Sequence, residues 1–231
     1  MHVEASEMLK TAEIVHWIAL LVMAVVYSMR LRWLFSFKPG KDTSEPGNPE
    51  QFSAKMGARY SLFNVAMPWG MESTRKPKGF AFWLTFVTFH IGVVAGIALA
   101  FVSTVAPAVY QIPAVAIVSG ALLTVAFVTA VYRIFRRLLR PVMRLISTPD
   151  DYFSLCMLTV WFALAVMTQA HIAGVEAFAS QTYLVAYLYL TSFFLLYVPF
   201  SKISHYLYYP FTRIWIGRAL GHRGAYPYSR G

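Results

Sequence analysis

The chain has 231 residues, of which 58% are hydrophobic and only 13% charged, with mean hydropathy +0.55. Soluble domains carry roughly a quarter charged residues, so a soluble globular class is excluded and a polytopic membrane protein is expected. A formal charge of +10 would suit nucleic acid, but its placement along the chain argues for a topology signal instead.

The N-terminal stretch carries Glu4, Glu7 and Glu13 before or at the start of the first apolar run. It lacks the basic start and small-residue cleavage site of a secretory signal. Five apolar segments follow: Thr11–Met29, Phe80–Val105, Pro113–Tyr132, Tyr152–Ile172 and Thr182–Ser201. Each comes close to or exceeds the ~20 residues that a helix needs to cross ~30 Å of hydrocarbon. None has the short, strictly alternating pattern of a barrel strand. The predicted fold is therefore all-α, with five transmembrane helices in a single membrane domain, 1–231.

Charge sets the expected orientation. Of the 20 basic residues only Lys10 falls outside three regions: those after the first, third and fifth spans. These regions alternate with the spans so as to lie on one side. The positive-inside rule then predicts an outer N-terminus and a cytoplasmic C-terminus in the cell's inner membrane. Part of the charge also suits anionic lipid heads or an acidic partner.

The largest loop, 37–79, contains Pro39, Gly40, Pro46, Gly47, Pro49, Pro68, Gly70 and Pro77. Such a density of breakers argues against a stable domain. The aromatics Phe52, Tyr60, Phe63 and Trp69 argue against pure disorder. The expectation is a cytoplasmic hairpin packed on the bundle or on a partner. The tail 206–231 is basic and aromatic, with Tyr208, Tyr209, Phe211 and Trp215. It reads either as a solvated interfacial helix or as a docking surface for a cytoplasmic protein.

Much chemistry is excluded. A lone Cys156 allows neither a disulfide nor a cysteine-held iron–sulfur cluster within the chain. There is no Cys-x-x-Cys-His, P-loop, dinucleotide glycine pattern or His-Glu-x-x-His, and no residue is singled out as catalytic. The histidines remain. His90 lies in FWLTFVTFHIGVVAG, ten residues after Phe80, about 15 Å below the cytoplasmic end. An ionisable ring at that depth is costly unless it has a partner or a task. Gly92, Ala95 and Gly96 nearby would admit a neighbouring backbone or a flat macrocycle. His205 follows the fifth span in YLYLTSFFLLYVPFSKISH. Two imidazoles from different helices, both in the inner half, are what a b-type haem needs; the alternative for His90 is a packing residue hydrogen-bonded to a neighbour. His16 and His171 lie near the outer face. They read as interfacial histidines, as proton acceptors at a quinone pocket, or as a second axial pair. His2 and His222 lie in the tails and carry no argument. Arg137, Arg140 and Lys202 are placed to neutralise haem propionates at the inner face.

Three motifs carry a resemblance: Phe89-His90-Ile91-Gly92; Arg136-Arg137-Leu138, Pro141, Arg144, Ser147-Thr148 and Asp151; and Pro199-Phe200-Ser201-Lys202 with His205. In this order, and on this topology, the chain resembles the cytochrome b (gamma) subunit of respiratory nitrate reductase and related heterodisulfide-reductase-like and sulfite-reduction-associated membrane subunits. The likeness covers roughly Phe80 to Tyr209. It implies haem b held by His90 and His205, exchange of electrons with menaquinone or another quinone, and a cytoplasmic iron–sulfur partner subunit. The family holds two stacked haems, but here the outer ligand positions are Ala100 and Tyr187. One haem is therefore expected, with His16 and His171 as candidates for a replacement outer site. The first span and the loop 37–79 fall outside the resemblance. The alternative reading is a haem-free membrane anchor or assembly subunit of a respiratory complex.

Overall fold

A computed structural model describes residues 2–38, 40, 42–47, 53–66 and 72–226. Of the loop residues singled out above, Pro39, Pro49, Phe52, Pro68, Trp69 and Gly70 lie outside the described residues, as do the basic residues Lys41 and Arg230. The described residues form α-helices and short 3-10 turns, with no strand: α1 (His2–Ser36), α2 (Ala54–Phe63), α3 (Glu72–Arg75), α4 (Pro77–Val105), α5 (Pro113–Leu139), α6 (Pro141–Ile146), α7 (Pro149–Ile172), α8 (Thr182–Tyr197) and α9 (His205–His222). Five helical stretches are long and apolar enough to cross a membrane: Glu7–Ser36, Pro77–Val105, Pro113–Leu139, Pro149–Ile172 and Thr182–Phe200.

Helix ends follow local chemistry more than hydropathy. α1 runs past Met29 through Arg30 and Arg32 to Ser36, because Arg and Leu are good helix formers and no breaker intervenes. Its 35 residues span about 52 Å, well beyond the hydrocarbon thickness. α5 likewise continues to Leu139 and stops where Pro141 forces Arg140 into extended backbone, φ −96° and ψ 119°. α7 starts three residues ahead of the expected Tyr152. Thr148 and Asp151 form a capping box, with the Thr148 amide donating to Asp151 Oδ2 at 2.8 Å and Pro149 at the first helical position. Asp150 and Asp151 in its first turn complement the positive end of the helix dipole. α8 ends at Tyr197, two residues before Pro199, and the chain continues in 3-10 turns.

The chain divides into two compact units. The first comprises Met1–Ala24 and Leu84–Tyr197. Its interior is made by Leu99, Ala100, Leu123, Ala126, Phe162, Ala165, Tyr187 and Leu188, none of which is exposed to solvent. Ala12 of α1 packs on Leu184, Val185 and Leu188 of α8. α4 and α5 meet at Gly92, where an added Cβ would collide with the Ala126 Cβ. Glycine is thus what allows these two helices their separation.

The second unit comprises Val25–Trp83 and Val198–Gly231. The loop between the first two spans holds α2, which packs against α9. At their crossing, a Cβ on Gly57 would collide with the Gly217 carbonyl oxygen and lie 2.5 Å from Gly221 Cα. The two backbones are therefore in direct contact. Ser53 caps the start of α2 by accepting from the Met56 amide at 3.2 Å. Tyr209 and Arg213 of α9 satisfy the carbonyls at its end, donating to Leu62 O at 3.1 Å and Ser61 O at 3.0 Å. Beyond α9, Gly224 adopts φ 74°, the left-handed conformation that ends helices. Arg223 pairs with Asp42 at 2.9 Å, and Gly47 donates its amide to His222 O at 2.7 Å.

Overpacking a helix contact costs about 1–3 kcal/mol, so Gly92→Val is expected to lower the thermal unfolding midpoint of the detergent-solubilised chain. Gly120→Ala, whose nearest neighbour is Gln169 Cγ at 3.7 Å, is expected to leave it unchanged or raise it. The Arg223 guanidinium, then Ser44, hold the Asp42 carboxyl well below its ordinary 3.8. A depressed carboxylate contributes stability above its unfolded value and loses it as pH falls through the folded one. Carbon-detected NMR of Asp42 should therefore show a midpoint below 3.8, and the 42–47 segment should stay docked throughout the neutral range.

Candidate functional site

His90 sits on α4 in the first unit, partly buried. Its Nδ1 lies 2.7 Å from the Phe86 carbonyl one turn back, and its ring packs on Phe86 at 4.2 Å and Phe89 at 5.7 Å between centroids. A carbonyl can only accept, so Nδ1 carries the proton and Nε2 holds the lone pair. Metal-ligating histidines commonly have this arrangement: one nitrogen anchored to a carbonyl, the other basic.

His205 belongs to the second unit, where it opens α9 rather than closing the fifth span, and it is exposed. The 3-10 turn Lys202–Ser204 precedes it, and its Nδ1 lies 3.0 Å from the Lys202 carbonyl. The same logic leaves the lone pair on Nε2. In donor chemistry, both rings fit axial ligation of a haem iron.

His16 and His171 are in the first unit and keep different company. His171 Nδ1 is 2.9 Å from the Phe178 carbonyl. His16 is completely buried and packs on Phe101 at 5.1 Å and Trp17 at 5.9 Å. Neither of its ring nitrogens has a hydrogen-bond partner among the described residues, His171 included. Thr168 Oγ1 and both amide atoms of Gln169, on α7, are likewise buried without a partner among them.

The cations placed for propionates differ in their commitments. Arg137 donates through Nη1 to Ser147 Oγ, and its carbonyl accepts from Tyr152 at 3.5 Å. Arg140 joins α5 to α6, and Lys202 opens the turn that holds His205. The residue that sequence reading missed is Arg133. Its guanidinium lies 4.7 Å from the centre of the Phe89 ring, which in turn touches His90. A cation over an aromatic face is a favourable pairing when desolvated. Arg133 is the first basic residue after the third span, and only its place in that cluster was visible in the sequence.

The two positions expected above to have lost outer ligands are packed within the first unit. Ala100 and Tyr187 are both fully buried. Tyr187 donates its hydroxyl to the Gly96 carbonyl and stacks on Trp161, with centroids 5.7 Å apart and planes at 27°. Trp161 donates Nε1–H to Thr191 Oγ1 at 2.8 Å. The indole also covers Gly96, where a Cβ would collide with it, while Ala126 and Phe162 cover Gly92. Gly92 and Gly96 therefore admit these side chains.

Removing an unpaired buried polar group and keeping its volume is stabilising by about 1–3 kcal/mol at most. His16→Leu is therefore expected to hold or raise the unfolding midpoint in detergent. A clear loss would mean that the imidazole has a partner that the chain alone does not supply.

In comparison with known proteins, no family model matches the sequence, no curated protein matches it, and no solved structure matches its fold.

Proposed function

We propose that this chain is the haem b-carrying membrane subunit of a quinone-linked respiratory complex, exchanging electrons between membrane quinone and a cytoplasmic iron–sulfur partner subunit. The observation that carries the reading is the His90 ring. It is an imidazole deep in an apolar span, with Nδ1–H tied to the Phe86 carbonyl and its basic nitrogen therefore Nε2. His205, anchored in the same way to Lys202, is the second ligand. Ligation by two imidazoles would suit electron transfer rather than oxygen activation.

The haem, when bound, supplies the one-electron chemistry. The chain's own residues supply geometry and charge. The Phe86 and Lys202 carbonyls accept from Nδ1 of the two rings and would orient Nε2 toward the iron. Arg133, over the Phe89 ring beside His90, supplies positive charge for a propionate, ahead of Arg137 and Arg140. Tyr187 and Trp161 close the level at which the resembling family holds its outer haem, which favours one haem over two. His16, and separately Thr168 and Gln169 of α7, are the candidates for the quinone side. Their unpaired polar atoms match a ligand with carbonyl oxygens.

The orientation is part of the proposal. The end of α1, the loop 37–79 and the segment after α8 carry 14 of the 20 basic residues and fall in one unit. Their grouping supports a shared, cytoplasmic side. The rival reading is a haem-free anchor subunit. One observation favours it: Ala126, Phe162 and Trp161 occupy the glycine face of α4, so that face works as a helix-packing seam.

Reduced-minus-oxidised spectra decide between the two. The purified chain, with any attached subunits, should show the α-band of haem b. His90→Ala and His205→Ala should each abolish that same component, and His171→Ala should leave it. A spectrum with no α-band favours the anchor; separate losses from the two variants would mean that the rings do not share one iron.

A further inference from the structure

In the second unit, α2 and α9 leave a groove of about 640 Å³ between them. Its cations are Lys55 and Arg59 on α2 and Arg218 on α9, and its floor includes Ala58, Leu62 and Ile214. Each helix contributes an i, i+4 row: Lys55 with Arg59, and Ile214 with Arg218. Like charges at i, i+4 repel. Here a third cation faces them from the other helix, and no acidic side chain among the described residues pairs with any of the three. Such a cluster is relieved by an anion. The aliphatic floor adds a second requirement, since a free anion gains nothing from Ala58, Leu62 and Ile214. An amphiphile with a phosphate head satisfies both.

The same unit reaches the bilayer. It contains the last turns of α1, a membrane-crossing helix, with Trp33 and Phe35 exposed beside Arg30 and Arg32. Aromatic and basic residues together mark the headgroup level. α9 is fastened to this stretch: Phe211 meets Phe35 with ring centres 5.4 Å apart, and Tyr206 donates to the Tyr27 hydroxyl at 2.6 Å. Phe211 lies three residues before Ile214, so the groove sits one turn along α9 from an interfacial contact.

We propose that the α2–α9 groove is a binding site for an anionic glycerophospholipid. Arg59 and Arg218 grip the phosphate from opposite walls, with Lys55 beside them, and the glycerol end lies on Ala58, Leu62 and Ile214. Guanidinium forks suit phosphate oxygens. This site is independent of the haem reading, and either can fail without the other.

The test uses the full-length chain, delipidated in detergent and offered equal amounts of phosphatidylglycerol and phosphatidylcholine in mixed micelles, with retained lipid read by native mass spectrometry. About 1 kcal/mol for each of the three basic residues predicts phosphatidylglycerol retained on the order of 100-fold over phosphatidylcholine. Replacing Lys55, Arg59 and Arg218 with Gln should erase that preference. The equal charge loss Arg32→Gln, Lys38→Gln and Lys78→Gln should preserve it. Should the groove triple variant not fold, photoactivatable phosphatidylglycerol on the unaltered chain should label α2 and α9. Millimolar inorganic phosphate should leave the lipid bound. Displacement by phosphate, labelling elsewhere, or equal loss of preference in both triple variants would each overturn the assignment.

Discussion

The structure depends on one constraint: within the membrane-crossing helices, polar groups have no water and must find partners inside the chain. The spans contain many hydroxyls, and most bond back to the preceding turn. Thr88 donates to Leu84 O, Ser119 to Val115 O, Thr129 to Val125 O, Thr159 to Leu155 O and Ser192 to Leu188 O. Larger polar side chains are matched between helices instead. Tyr187 of α8 reaches the backbone of α4, and Trp161 of α7 reaches Thr191 of α8. These bonds, with the glycine contact at Gly92, hold the first unit together where hydrophobic burial gives little, lipid being as apolar as leucine.

Against that background the exceptions stand out. His16, Thr168 and Gln169 bury polar atoms without a partner among the described residues, and in a packed interior each such group is destabilising. His90 is the reverse case, with Nδ1 anchored and a basic Nε2 that suits a metal. The functional reading follows from this division. On the proposed reading, the anchored imidazoles would hold iron and the unpaired polar groups would meet a quinone carbonyl. On the same reading the second unit, with its basic residues, would meet a partner subunit and lipid heads.

Five spanning helices were legible in composition alone, because a soluble fold rarely needs uninterrupted apolar runs of membrane length. Their ends were less so. Hydropathy places the start of α7 at Tyr152, whereas Thr148, Pro149 and Asp151 begin the helix earlier by capping. Charge suggests that α1 stops near Arg30, but charge does not break a helix. The contact made by the loop 37–79 was the least legible. Its prolines and glycines argue against a stable domain, yet Gly57 is there for a backbone contact with Gly217 and Gly221, and no local pattern reveals a contact between segments so far apart in the chain. The glycines after His90 were ambiguous for the same reason, until Trp161 and Ala126 were seen against them. Tyr187 drew notice only through a resemblance, as a tyrosine where a histidine was expected; its bond to Gly96 needed the fold. Arg133 was hidden among basic neighbours, since only tertiary packing brings Phe89 beneath it.

What the two anchored imidazoles do is most directly tested by counting haem. The full-length chain, purified and dissolved in alkaline pyridine, gives the haem b content from its hemochrome band, and a protein assay gives the chain. One haem per chain is expected if His90 and His205 share an iron while Ala100 and Tyr187 close the outer level. A count of zero would contradict haem binding altogether, and a count of two would contradict the closed outer level.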